Sequence, residues 1–275
     1  MQFLGESEVH TQVQQQFKTD NFLLEIDMTS SYRSPWMTEE LDMLRETARR
    51  FFENEVAPRA EKSRHQHHLD REVWEKAGEL GLLCMSIPQE YGGMGASYAD
   101  YMRVSEEIGR HCGSTGLTFN MHNATMLWAG QVADLLDMSP EERETHERRC
   151  AEMFRGVVEN GDIHSQPFSE GLNPGALAGI MTRATPVEGG YLVTGRKIFA
   201  SLSGAADRYN VTCQVEGEEF LRLLSVRANA DGVEIVDEWD PLGMRGTVSR
   251  TLLLKDVFVP ADDEILPGGM YDQAA

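Results

Sequence analysis

Positive charge is scarce in this chain. Its 275 residues hold 25 Lys and Arg against 45 Asp and Glu, a formal net charge of −20. The deficit is spread along the sequence: residues from Gly161 onward carry −8, leaving −12 for those before. Phosphate would be repelled by such a surface, which argues against nucleic acid or anionic lipid as a partner. A local basic pocket for an anionic cofactor stays open. Cysteine is also sparse. Cys84, Cys112, Cys150 and Cys213 lie far apart with no CxxC pair. This spacing gives no clustered zinc ligands and points to reduced, structural thiols in a cytoplasmic protein. No apolar run approaches the roughly 20 residues of a membrane span. The N-terminal MQFLGESEVHTQVQQQ lacks a basic n-region and an apolar h-region, so no signal peptide is expected. HExxH, a Walker loop and a Ser/His/Asp order are missing too, which leaves the familiar hydrolase and nucleotide-hydrolysis readings without support. No internal repeat is evident.

What is present describes a globular chain, 41% hydrophobic with a mean hydropathy of −0.40, long enough for two domains with cores. Residues 1–34 are polar and glutamine-rich, and read as a loosely held arm. Thr38-Glu39-Glu40 then offers a helix cap, followed by Leu41, Leu44, Ala48, Phe51 and Phe52 at helical spacing, with Pro58 marking an end or a kink. Asp70 caps a second helix. The cluster His65-Gln66-His67-His68 has no i, i+4 histidine pair and reads as a solvated loop rather than a metal site. In IPQEYGGMG, Tyr98 stands where a third glycine would complete GxGxxG, so a tight connecting turn is expected. Helical signals return over Tyr98–Arg110 and about Thr115–Leu136, and Ser139-Pro140-Glu141-Glu142 is a strong helix start.

At Gly161 the period changes from helical to two-residue alternation. Strands are expected at Ile163–Phe168, Ile180–Val187, Tyr191–Leu202, Tyr209–Val215, Phe220–Val226, Val233–Trp239 and Thr251–Val259. After Pro260 the pattern is lost. The fold class is α+β, with an N-terminal all-helical domain over 35–160 and a mainly antiparallel, β-barrel-like domain over 161–275. Two candidate site segments lie near the change of period: Phe168-Ser169-Glu170-Gly171 and Lys197-Ile198-Phe199-Ala200-Ser201. A turn at Glu188-Gly189-Gly190 separates them. Such a hairpin can bring Ser169 and Ser201 together with Phe199 beside them, which suits a planar polar ligand. The same residues also describe an ordinary hairpin with serines at its strand ends.

A helical half with IPQEYGGMG, followed by a β half with FSEG, PGALAG, GRKIFAS and DPLGMRGTVSRTLLLKDVFVP, resembles the acyl-CoA dehydrogenase family from about Glu39 to Ala275. The resemblance implies FAD as cofactor and oxidation of an acyl-CoA thioester to its trans-2-enoyl form, commonly in a homo-oligomer, with an electron-transfer flavoprotein as acceptor. By motif position, Gln166, Phe168 and Ser169 fall on flavin contacts. Phe199 takes the ring-shielding position and Ser201 the hydroxyl near the reactive ring nitrogen N5. Glu170 is structural in the motif. Gly175 stands where the family carries a serine that helps hold phosphate and thioester groups, so that hydroxyl is missing. The family's catalytic glutamate lies in a C-terminal helical domain, which the resemblance does not reach, and no catalytic residue is assigned. The chain is therefore expected to be a fragment, to be completed by another polypeptide, or to have lost catalysis. Alternative readings are a non-catalytic binding or assembly module and a flavin-dependent monooxygenase of the same fold.

Overall fold

The computed structural model describes residues 38–66, 69–171 and 180–271. The proposed arm and Gly175 lie outside the described residues, as do His67 and His68. From Glu40 onward the described residues form one compact unit.

The helical part runs α1 (Glu39–Phe51), α2 (Ala57–Gln66), α3 (Arg71–Glu79), α4 (Tyr98–His111), α5 (Gly113–Leu127) and α6 (Pro140–Asn160). Pro58 does not end the first helix. A π-turn over Phe52–Val56 precedes it, and the helix resumes with the proline in its first turn, where a missing N–H is harmless. That continuation carries His65 and Gln66 on the end of α2 rather than in the expected loop. Asp70 caps α3 through the N–H of Glu72, and Ser139 forms a capping box with Glu142 at the start of α6. The glycine-rich stretch is a tight connection. Gly92 adopts a φ of 87°, and a Cβ on Gly93 would sit 2.1 Å from the carbonyl oxygen of Ile87.

The strands are β1 (His164–Ser165), β2 (Arg183–Val187), β3 (Gly190–Ala200), β4 (Arg208–Val215), β5 (Leu221–Arg227), β6 (Val233–Val236), β7 (Arg250–Pro260) and β8 (Glu264–Leu266). They form one sheet in the order β6-β7-β3-β2-β4-β5-β8, with β1 also paired to β4. The sheet is mainly antiparallel, as expected, but open rather than barrel-like. Its outer strands β6 and β8 have four and three residues, too short to complete a closed cylinder. Two expectations fail most clearly. The first strand has two residues instead of six, and β8 lies beyond Pro260, where it pairs with β5. Both are defined by partners distant in sequence, so local alternation reports them poorly.

One apolar core runs through both parts, from Phe52, Leu83, Ile108 and Phe154 to Val193, Tyr209, Leu224 and Leu252. A polar seam crosses it. His164 donates its N–H to Nδ1 of His122 at 3.1 Å, which leaves Nε2–H of His122 to meet the carbonyl oxygen of Leu83 at 3.0 Å. Burial lowers the pKa of His122 to about 4 and that of His164 to about 3, so both rings are neutral near pH 7. Asn210 joins this seam to Thr125 on α5 at 3.2 Å.

Candidate functional site

Pairing along β4 places the first site segment. His164 and Ser165 of β1 pair parallel with Arg208 and Tyr209, while Arg183 and Ala184 of β2 pair parallel with Gln214 and Val215. The chain thus leaves and rejoins the same edge of one strand, and residues 166–171 lie outside that pairing. They reach the end of β3. Ile198 donates its N–H to the carbonyl oxygen of Ser169 at 2.8 Å, and the Ser165 hydroxyl donates to the carbonyl oxygen of Ser201. The two segments singled out in the sequence are therefore neighbours. Glu188-Gly189 makes the turn between β2 and β3, whose last pair is Val187 with Gly190.

A buried ion pair clasps this arrangement. Lys197 Nζ meets Glu170 Oε1 and also donates to the carbonyl oxygen of Thr212 at 2.6 Å. Glu170 further accepts from the Thr182 hydroxyl at 2.6 Å and from the N–H of Met181. Burial works to raise the pKa of Glu170, but Lys197 and Thr182 outweigh it and hold the carboxyl below its ordinary range. Burial pulls Lys197 downward, with Glu170 opposing. A charge buried this completely persists only when paired and hydrogen-bonded, so the pair fixes geometry and leaves Glu170 no freedom to act as a base. The motif assigns Glu170 a structural role, and the fold supplies Lys197 as its partner. A lysine inside an otherwise alternating strand was the available signal.

Just beyond the clasp, β3 departs from regular pairing with β7 between Lys197 and Ala200. Phe199 there has a φ of 54° and is 60% exposed, so the irregularity turns an aromatic ring out of the sheet instead of into the core. Trp239 stacks edge-on against it, with ring centroids 6.1 Å apart. Phe168 faces the helical side and packs against Trp128 and Tyr271, at 6.0 and 5.8 Å. Ser169 is exposed. Ser201 is buried, and its hydroxyl lies 2.8 Å from that of Ser249, which lies 2.6 Å from that of Thr247. Trp239, Thr247 and Ser249 were not found from the sequence, although Thr247 and Ser249 lie in a stretch that carries the resemblance. Gln166 keeps a buried Nε2 with no hydrogen-bond partner. A donor without a partner in the segment that reaches β3, together with an outward ring and an exposed hydroxyl, fits a planar heterocycle with acceptor atoms on its edge.

Profiles of two successive domains match: "Acyl-CoA dehydrogenase, N-terminal domain" over residues 38–132 and "Acyl-CoA dehydrogenase, middle domain" over residues 170–257. The chain belongs to the acyl-CoA dehydrogenase family. A probable acyl-CoA dehydrogenase of Bacillus subtilis is 30% identical over 230 residues, covering 82% of this chain and 57% of that protein. An acyl-CoA dehydrogenase of Bacillus anthracis, solved as a complex with FAD, is 26% identical with a TM-score of 0.72, covering 86% of this chain and 39% of the other. The butyryl-CoA dehydrogenase of Megasphaera elsdenii shares the fold at a TM-score of 0.74 and 22% identity, over 88% of this chain and 62% of the other. The chain thus spans little more than half the length of the Bacillus subtilis relative. Among the described residues no helix is long and apolar enough to cross a membrane, and no group of three His, Cys, Asp or Glu could hold a metal ion.

Proposed function

We propose that this chain supplies the helical and β portions, residues 35–160 and 161–275, of a cytoplasmic FAD-dependent acyl-CoA dehydrogenase that forms the α,β-double bond of an acyl-CoA thioester. The observation that carries this reading is the approach of the 166–169 segment to the end of β3, with Phe199 turned outward and Gln166 Nε2 left without a partner. Phe199 would pack on the flavin ring, Ser169 and Gln166 would meet its edge, Phe168 would back the site, and Ser201 would face the ring nitrogen. Gly175 falls by motif position among the substrate contacts. Bound FAD would supply the hydride acceptor that no side chain provides.

Removal of the α-proton needs a base within hydrogen-bond reach. Glu170 is held by Lys197, Thr182 and Met181, and Glu218 is paired with Arg222 at 2.7 Å. Following the family resemblance, the reading assigns the base to a C-terminal helical domain, with assembly into a homo-oligomer and an electron-transfer flavoprotein as acceptor. The test is anaerobic incubation of the FAD-supplemented chain with acyl-CoAs of several lengths, followed by mass spectrometry for the enoyl product. We expect no product from the chain alone. With a family C-terminal helical domain added, flavin absorbance should bleach and product should appear. Turnover by the chain alone would show that the base lies within it. Absence of FAD binding even with the added domain would overturn the reading.

A further inference from the structure

Three hydroxyls form a chain that starts at Ser201 and ends on the backbone. Ser201 Oγ lies 2.8 Å from Ser249 Oγ, Ser249 Oγ lies 2.6 Å from Thr247 Oγ1, and Thr247 Oγ1 donates to the carbonyl oxygen of Met244 at 2.9 Å. Each hydroxyl has one proton, and a carbonyl can only accept. If Thr247 gives its proton to Met244, the proton between Thr247 and Ser249 must come from Ser249. The proton between Ser249 and Ser201 must then come from Ser201. In this inward direction three protons serve three contacts. Reversing the chain frees the Ser201 proton for a ligand but gives up the bond from Thr247 to Met244. The inward direction is therefore the ground state, and the terminus that fixes it is a strained loop. Met244 and Val248 both adopt left-handed backbone, at φ of 58° and 47°, and Val248 is β-branched. Leu202 and Ser203 donate their N–H groups to the carbonyl oxygens of Thr247 and Val248, so the loop is seated directly against the Ser201 segment.

We infer that Ser249 and Thr247 are positioning residues that make Ser201 an acceptor toward its ligand, so that the site favours reduced over oxidised flavin. This rests on the flavin reading above. On two-electron reduction the facing ring nitrogen gains a hydrogen and becomes a donor, which a Ser201 lone pair can meet without disturbing the chain. The bare nitrogen of the oxidised ring needs a proton from Ser201, which costs the bond at Met244. Cutting the chain removes that cost.

The experiment measures the dissociation constants of oxidised FAD and of dithionite-reduced FAD, anaerobically, for the wild type, Ser249→Ala, Thr247→Val and Ser201→Ala. Either cut should tighten oxidised FAD relative to reduced FAD by about 3- to 10-fold, the worth of one hydrogen bond. A tenfold change is about 30 mV in the midpoint potential of a two-electron couple. In the Ser201→Ala background, Ser249→Ala should leave the ratio unchanged. Thr247→Val preserves shape and supplies the answer where Ser249→Ala does not fold. An unchanged ratio in folded Ser249→Ala or Thr247→Val that still binds FAD would overturn the inference. So would an equal shift from Ser249→Ala with and without Ser201. Failure of the wild type to bind either form of FAD with the C-terminal domain supplied would instead overturn the flavin reading.

Discussion

At Lys197 a single residue serves opposite demands. Its ammonium is fully buried, which is tolerable only because Glu170, Thr212 and the sheet around them absorb its charge and protons. Two residues later Phe199 is thrust outward by a left-handed backbone. The clasp and the outward ring belong together, because the ion pair holds the strand where the pairing with β7 breaks. Glu170→Gln would leave a buried cation facing a neutral amide. We expect a loss of about 3–5 kcal/mol in unfolding free energy, read by urea denaturation. A midpoint equal to that of the wild type would show that the pair holds nothing in place. Motif order picks Ser169, Phe199 and Ser201 out of the sequence, and the structure brings their two segments together. Ser249 is not picked out, since it meets Ser201 across 48 residues and only the folded loop joins them.

Among the elements, β3 does most to position the site, through its turn from β2 and its long edge with β7. Gly190 opens that edge, opposite Pro260. A Cβ there would lie 2.1 Å from the carbonyl oxygen of Val259, a backbone atom with little room to move. Gly190→Ala is therefore expected to cost about 1–3 kcal/mol of stability, as overpacking does. The same change at Gly189, which meets nothing within 4 Å, should act only through its φ of 79°. Thermal melts of the two variants compare the effects, and a larger loss at Gly189 would contradict the close-approach argument. Helices announced themselves locally. The Ser139 capping box and the Asp70 cap are written in neighbouring residues and appear as expected. Pro58 leaves an end or a kink open, and the π-turn before it excludes the end. Short strands such as β1 and β8 had too few residues to show a period.

The molecule as a whole joins helices to sheet through a core that contains two neutral histidines. Their folded pKa values, about 4 for His122 and about 3 for His164, lie below the ordinary value of 6.5. The unfolded chain therefore takes up protons first as pH falls. Stability from these groups is fully present above pH 6.5 and is lost as pH falls toward their folded values, about 4 and about 3. Urea midpoints at pH 7.5 and pH 5 should show the fall, and His122→Gln should lessen it. A slope unchanged by that substitution would remove His122 from the account. None of this was visible in the sequence, where the two histidines stand 42 residues apart.

The division into a helical and a β portion was legible, because the change of period at Gly161 is abrupt. The way the two segments meet was only partly so, since it depends on β1 and β2 sharing one edge of β4. That meeting is the centre of the account, and flavin titration of the wild type against Phe199→Ala tests it most directly, with a family C-terminal helical domain supplied to both. Phe199 is 60% exposed, so its truncation should leave the fold intact. Saturable FAD binding by the wild type is expected, with a loss of about 1–3 kcal/mol of affinity on removing the ring. Equal titrations for two folded proteins would contradict it.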